Sequence, residues 1–247
     1  MSLPVEFSDP RLVPIYDALN EYPADREPAF YSWLASNLNA SSIADLGCGT
    51  GLITCLLAES GYEMIGIDPA PAMIEVAERR DTENRVRWIV GDADAVPAGE
   101  CDLAIMTGHV AQFLLMDEDW IAALEALKRC LRSGGSLAFE SRDPEAREWE
   151  RWGSSSRVVE HPTAGEVEQW AEVQSAAEGI VSFSNHYAFR RTGEEVVSPA
   201  QLRFRSLSEL SASLASVGLH IDQLYGDWDR SPMGDATTEM IVVASAK

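Results

Sequence analysis

Three glycines at alternate positions, Gly47, Gly49 and Gly51, follow the apolar run Ile43-Ala44-Asp45-Leu46 and precede a helix-like run from Ile53 to Ser60. Glycine lacks a Cβ and takes positive φ, so backbone at such positions can pass close beneath a ligand with its amides facing it. A second apolar run, Met64-Ile65-Gly66-Ile67, ends on Asp68, 21 positions after Gly47. That separation is close to the roughly 20 residues between a glycine turn and a carboxylate that accepts from ribose hydroxyls. Two acceptor oxygens suit a ribose diol and repel a ribose phosphate. A dinucleotide fingerprint requires Gly or Ala where this chain has Leu52, which disfavours NAD or FAD. Cys48 fills a small position in the turn.

The elements needed to hold this arrangement are a strand, a tight turn, a helix and a second strand, and the pattern then repeats. Pro69 and Pro71 open a helical stretch carrying Met73, Ile74 and Ala77, because proline is tolerated in a first turn where its missing N–H has no partner. A third strand, Val86 to Val90, runs into Gly91-Asp92-Ala93-Asp94, and a fourth, Asp102 to Met106, into Thr107-Gly108-His109. Trp120, Leu124, Leu127 and Leu131 recur at helical spacing, with Trp120 a core residue, and Ser133-Gly134-Gly135 stops that helix before a fifth strand, Ser136 to Glu140. Alternating βα units of this kind predict an α/β fold built on a doubly wound parallel sheet. From 144 to 205 the pattern changes to short alternating strands punctuated by Gly179 and Gly193, which predicts a small inserted antiparallel sheet. Residues 206–247 return to a helix, Ser208 to Val217, and two strands with no helix between them.

Length and charge bound the rest. At 247 residues the chain can bury one full core, so one domain with an insertion is expected. It has 19 basic and 40 acidic residues, and 19 − 40 = −21. A surface of that sign repels phosphate backbones, which argues against DNA or RNA as partner. Cys48, Cys55, Cys101 and Cys130 contain no Cys-x-x-Cys pair, so neither a zinc cluster nor a disulfide scaffold is expected and no metal is assigned. No basic-then-apolar leader and no run of eighteen apolar residues is found, which reads as cytoplasmic, with no membrane partner.

Asp45-x-Gly-x-Gly-x-Gly resembles the first motif of the class I S-adenosylmethionine-dependent methyltransferases, strongly over 41–143 and by pattern alone over 206–247. The resemblance implies a Rossmann-like seven-stranded sheet of order 3-2-1-4-5-7-6 with strand 7 antiparallel. It divides the chain into an N-terminal helical segment (1–40), a core (41–143 and 206–247) and an inserted lid (144–205). The cofactor implied is S-adenosylmethionine, held by Asp45, Gly47, Cys48, Gly49, Gly51, Asp68 and Pro69. Met73 lies near the adenine, Asp92 and Ala93 read its edge, and Thr107 and Gly108 lie toward the transferable methyl. Tyr16 and Tyr31 are candidates to line the pocket from the N-terminal segment. His109 is the first candidate for a general base, since an unperturbed imidazole pKa of roughly 6.5 suits proton transfer near neutrality; His186 is the second. A neutral amine acceptor needs no base at all. Trp149, Trp152, Trp170, Phe183, His186, Tyr187 and Arg203 are available to an acceptor in the lid, and Glu140, Arg142 and Asp143 lie just past strand five. The expected activity is methyl transfer to an O or N atom of a small molecule. An NAD-linked oxidoreductase and a non-catalytic S-adenosylmethionine-binding protein are the competing readings, and the oligomeric state is open.

Overall fold

A computed structural model describes residues 3–20, 23–234 and 237–246. Two helices, α1 (Tyr16–Leu19) and α2 (Glu27–Asn37), precede the sheet. The alternating core follows as β1 (Ser42–Leu46), α3 (Leu52–Glu59), β2 (Glu63–Asp68), α4 (Pro71–Arg80), β3 (Val86–Val90), β4 (Cys101–Met106), α5 (Val110–Phe113), α6 (Asp117–Cys130) and β5 (Leu131–Arg142). Four strands form the insertion: β6 (Arg157–His161), β7 (Gly165–Ala177), β8 (Ile180–Phe189) and β9 (Glu194–Arg203). The chain closes with α7 (Leu207–Ser216), β10 (His220–Tyr225) and β11 (Glu239–Ser245).

The main sheet has seven strands in the order β3-β2-β1-β4-β5-β11-β10, with β11 antiparallel to both of its neighbours. This is the expected order and the expected reversed last strand. Successive side chains of a strand point to opposite faces, and the core divides accordingly. Ala44, Leu46, Ile65, Ile67, Ala104, Met106, Leu137 and Phe139 face α6 and α7. Ile43, Met64, Leu103, Ile105, Ala138, Ile241 and Val243 face α2 and α3. With both faces covered, β1 is buried at every residue, which is why the central strands read as apolar runs rather than alternating ones. Helix α2 packs against the middle of a sheet face, where its buried residues Phe30, Tyr31 and Leu34 meet Ile43, Leu103 and Ile241.

Gly134 and Gly135, expected to separate α6 from the next strand, lie inside β5. They occupy an irregularity in the ladder, where pairing steps from Cys101↔Leu131 to Leu103↔Ser136, and extra residues on one strand are what a bulge requires. At α7 the start signal is complete. The Ser206 side chain accepts from the Glu209 amide while Glu209 reaches back to Ser206, a reciprocal cap that satisfies two otherwise orphan donors.

The second sheet is an antiparallel meander, β6-β7-β8-β9. Val167, Tyr187, Phe189 and Val196 on one face bury Leu12, Ile15 and Leu19 of the N-terminal segment. Val181, Phe183, Ala200 and Leu202 on the same face pack with Phe113, Trp149 and Trp152. The insertion thus sits over the ends of the parallel strands, joined to the N-terminal segment by a shared core. No helix among the described residues is long and apolar enough to cross a membrane.

Candidate active site

A cavity of about 760 Å³ opens at the carboxyl ends of β1, β2 and β4. In a doubly wound sheet this is where ligands sit, at the point where strand order reverses. Gly47, Cys48 and Gly49 form its floor, and Asp68, Pro69 and Met73 line the β2–α4 side. Asp92 and Ala93 come from the turn after β3, and Thr107 and Gly108 from the end of β4.

The turn is held by close approach. Gly47 has φ +81°, and a Cβ there would lie 2.4 Å from a methyl of Val110. Gly49, at φ +55°, has nothing within 4 Å of its missing Cβ, so a side chain there would project into open space. The amides of this loop do not face the cavity as expected from sequence. Those of Gly47 and Cys48 both donate to the carbonyl of Ile67, that of Gly49 to Asp68, and that of Gly51 to Cys48. The loop therefore lacks the row of free N–H groups that would cradle a pyrophosphate. The charged side chains lining the cavity, Asp68, Asp92, Asp94 and Asp119, are all carboxylates. Carboxylates around a hollow favour a cationic ligand, so the residues present fit a sulfonium cofactor carrying a ribose diol and an ammonium group.

Asp68 is 8 % exposed. Its two oxygens accept from the amides of Gly49 at 2.9 Å and Ala70 at 2.8 Å, which fixes the carboxylate at the cavity wall and leaves a second lone pair on each oxygen. Burial raises its pKa and these two amides oppose the shift.

Two expected cofactor residues lie elsewhere. Asp45 is fully buried behind the turn, where one oxygen accepts from the Thr54 hydroxyl at 2.7 Å and the other has no partner. Burial pushes its pKa up to about 7, opposed by Thr54 and assisted by the charge of Asp68. Asp45 thus bridges β1 and α3 and lies outside the cavity lining. Gly51 caps the start of α3 and abuts the Trp88 ring, outside the lining.

His109 also departs from expectation. Its side chain does not line the cavity; its Nε2 lies 2.9 Å from Glu239 and its backbone amide donates to Glu140 at 2.9 Å. Burial, aided by the nearby Arg142, lowers the imidazole pKa against the pull of Glu239. The neutral ring thus donates from Nε2 to a carboxylate acceptor. Burial raises the pKa of Glu239, but His109 and Arg142 outweigh it and hold the carboxyl below its usual value. The reason for the turned ring is local: Gly108 and His109 both have positive φ, +68° and +62°, and this kink points the ring away from the end of β4.

The second carboxylate of that cluster was not legible as a partner of the loop. Glu140, fully buried on β5, accepts from Tyr31 as well as from the His109 amide. Burial pushes it up to about 8, the two hydrogen bonds opposing and Glu239 and Glu27 adding to the rise. Tyr31 therefore faces Glu140 and not the cavity, whereas Tyr16 lines the cavity. The signal available in sequence was a carboxylate ending the apolar run Leu137-Ala138-Phe139.

Tyr16 is delivered by a clamp. Its neighbour Asp17 accepts from the Thr50 hydroxyl of the glycine turn at 2.5 Å and from Arg80 of α4, while Arg80 also donates to the Thr50 carbonyl at 3.1 Å. Phe7, from the N-terminal turn, stands 5.8 Å from the Tyr16 ring and 5.6 Å from that of Phe113. With Phe183 of β8, these rings line the cavity, Phe7 and Tyr16 packing against Ala70 and Met73 on its β2–α4 side. Of the other aromatic candidates in the insertion, Trp149 packs on Phe204, Tyr187 is buried against the N-terminal segment, and His186 stacks on Trp170 while pairing with Glu195. Arg203 pairs with Glu209, and Asp143 caps the turn that follows it.

Residues 43–135 match the sequence model of a family described as Methyltransferase domain. Residues 43–135 thus form a methyltransferase domain of the kind the sequence resemblance implied. A cypemycin N-terminal methyltransferase from Streptomyces sp is 24% identical over 215 residues, 86% of each chain. Seven further curated relatives are matched over only 34% to 52% of their own length. Among solved structures, an S-adenosylmethionine-dependent methyltransferase from Clostridium acetobutylicum superposes with a TM-score of 0.81 at 17% identity, covering 96% of this chain and 98% of that one. The amino pentose methyltransferase CalS10 from Micromonospora echinaspora gives 0.73 at 21% identity, covering 95% of each. In this methyltransferase the NAD-linked alternative is set aside, and the cofactor is S-adenosylmethionine. Among the described residues no group of His, Cys, Asp or Glu is arranged to hold a metal ion.

Proposed function

We propose that this methyltransferase acts on an amine nitrogen of a small-molecule acceptor. The observation that carries the reading is the turned imidazole: His109 is bonded to Glu239 and absent from the lining of the cavity. An alcohol must lose a proton as it attacks, and it needs a positioned base; a neutral amine does not. The rings of Phe7, Tyr16, Phe113 and Phe183 give part of the cavity an apolar lining. An amine seated there is not stabilised in its protonated, unreactive form.

When bound, S-adenosylmethionine supplies a methyl group on a cationic sulfur, so the bond to nitrogen forms as the carbon–sulfur bond breaks. The chain's own part is to hold and to shield. Asp68 accepts from the ribose, Asp92 and Ala93 meet the adenine edge, and Gly47, Cys48, Gly49, Thr107 and Gly108 shape the amino-acid end. Pro69 and Met73 pack beside the nucleoside. The N-terminal segment and the insertion, acting as a lid, exclude water from the ring-lined side. Orientation of this kind contributes several kcal/mol, about 7–11 in favourable systems. The product ammonium returns its proton to solvent. The name of one similar protein, a cypemycin N-terminal methyltransferase, agrees with nitrogen as acceptor, and the net charge of −21 disfavours a nucleic-acid substrate.

The test is a panel of paired small amines and alcohols of equal carbon skeleton, incubated with methyl-labelled cofactor. Label is expected in amines. Label found in alcohols while their amine partners stay unlabelled would overturn the reading.

A further inference from the structure

Cys101 opens β4 and Cys130 closes α6. Both are fully buried in the core on the α6 side of the main sheet, and their sulfurs stand 3.0 Å apart although 29 positions separate them in the chain. The backbone fixes this approach. Cys101 is the parallel partner of Leu131, the residue after Cys130, and the amide of Gly99 donates to the carbonyl of Arg129 at 2.9 Å. Neighbouring strands lie about 4.8 Å apart and one residue along a strand adds about 3.3 Å. The two Cα atoms are then about 6 Å apart, inside the range of roughly 4.4–6.8 Å that a disulfide spans.

The four thiols differ in reactivity. The hydrogen bond with Cys130, together with burial, pushes the Cys101 thiol up, whereas the same bond holds Cys130 below its usual value against the effect of burial. Cys130 is therefore the sulfur that ionises first, and the thiolate is the form that reacts with an oxidant. Cys48, in the glycine turn, and Cys55, on α3, are both raised, chiefly by burial, which keeps them protonated near neutral pH. The reactive pair lies at the amino end of β4, while the cavity opens at the carboxyl end, beside Thr107 and Gly108. Methyl transfer gives the two thiols no task.

We propose that Cys101 and Cys130 form a reversible disulfide on exposure to a peroxide, a staple that closes the segment carrying the β4–α6 wall of the cofactor cavity. The Cys130 thiolate attacks one peroxide oxygen, the O–O bond breaks, and a sulfenic acid forms as the departing hydroxide takes up a proton. The Cys101 sulfur then displaces the sulfenic hydroxyl, which leaves as water. Two thiols lose two electrons and two protons, and one hydrogen peroxide becomes two waters. The oxidant is small enough to enter through brief local opening of the helix end. Thr107, Gly108, Phe113, Asp119 and Ala123 of the cavity lining all fall between the linked positions. A link across this loop removes freedom from the unfolded chain, so the oxidised protein keeps its cofactor wall at temperatures that melt the reduced one. It leaves the wall's geometry unchanged because it sits at the far ends of β4 and α6.

The experiment incubates the full, reduced chain with hydrogen peroxide, blocks the remaining thiols with N-ethylmaleimide and digests with trypsin. Cleavage after Lys128 and Arg129 puts the two cysteines in separate peptides, 88–128 and 130–132. The expected product is the linked pair, lighter by two hydrogens than the reduced peptides together and separated by dithiothreitol. The oxidised chain should melt about 5 °C or more above the reduced chain. Its affinity for S-adenosylhomocysteine should match that of peroxide-treated Cys130→Ala within about threefold. Cys130→Ala, which keeps the site apolar, should lose both the link and the shift in Tm; Cys101→Ala gives the same comparison if Cys130→Ala does not melt cooperatively. Unlinked peptides, a link that forms only in urea, a link without a rise in Tm, or a rise that persists in the alanine variant would each overturn the proposal.

Discussion

Replacing Asp68 by Asn tests the carboxylate on which cofactor binding turns. Asn is nearly isosteric but offers one acceptor oxygen instead of two and adds a donor. In the protein both oxygens are used, by the amides of Gly49 and Ala70. One of these amides must therefore face an NH2 group in the variant. Losing a hydrogen bond to a charged group costs about 1.5–3 kcal/mol. Against this, Asn removes a carboxylate whose burial is unfavourable, the main cause of its raised pKa. The net loss of stability is then about 1–2 kcal/mol, or a fall in Tm of roughly 2–8 °C for a chain of this size. Affinity responds separately. A ribose hydroxyl that donates to a carboxylate loses a charge-assisted bond, again about 1.5–3 kcal/mol, and binding should weaken about 10- to 150-fold. Calorimetric titration with S-adenosylhomocysteine measures this, and a thermal melt without ligand measures the first term. An affinity within about threefold of wild type, in a variant that melts cooperatively, would refute the placement of the ribose at Asp68.

His109→Asn keeps a residue tolerant of positive φ and removes the imidazole; the pH dependence of kcat is expected to keep its shape and kcat to fall less than about tenfold, because the ring does not face the cavity. Loss of a titrating limb together with a drop of more than about a hundredfold would restore His109 as a base. Glu140, raised to about 8, and Glu6, raised to about 7, are both protonated more readily in the folded state. The native state then binds more protons than the unfolded chain, so stability falls as pH rises from about 4.5 through these values. Melting curves from pH 5 to 8.5 should show that decline, and Glu140→Gln should flatten it; an equal slope in the variant would count against the assignment. Asp17→Ala removes the clamp between α1 and the glycine turn. Its partly exposed pair with Arg80 contributes only about 1 kcal/mol at most, so Tm should shift little while the KM for cofactor rises severalfold, and an unchanged KM would show that the clamp does not order Tyr16.

The sheet was legible because its determinants are local and repeated. Apolar runs covered on both faces, glycine turns and helix stripes each announce themselves within ten to fifteen residues, and the reversed final strand followed from two strands without a helix between them. The cavity residues Gly47, Cys48, Gly49, Asp68, Asp92 and Thr107 were legible for the same reason, since each sits at the end of a strand or in the turn just after one. Asp45 and His109 were misplaced because a sequence gives the position of a residue along a strand but not the side to which a kinked backbone turns it. Two consecutive positive-φ residues decide this for His109, and Thr54, nine positions away, decides it for Asp45.

Chain order alone determined that a glycine turn and a carboxylate stand together at adjacent strand ends, because both belong to one βαβ unit whose geometry is short-range. Only tertiary structure decided what closes the hollow and what lies beside it. Glu140 meets Tyr31 across 109 positions, and Glu6 meets Asn185 across 179. Such contacts are set by how the insertion and the N-terminal segment bury each other's apolar faces, a non-local balance of packing that no pattern along the chain records.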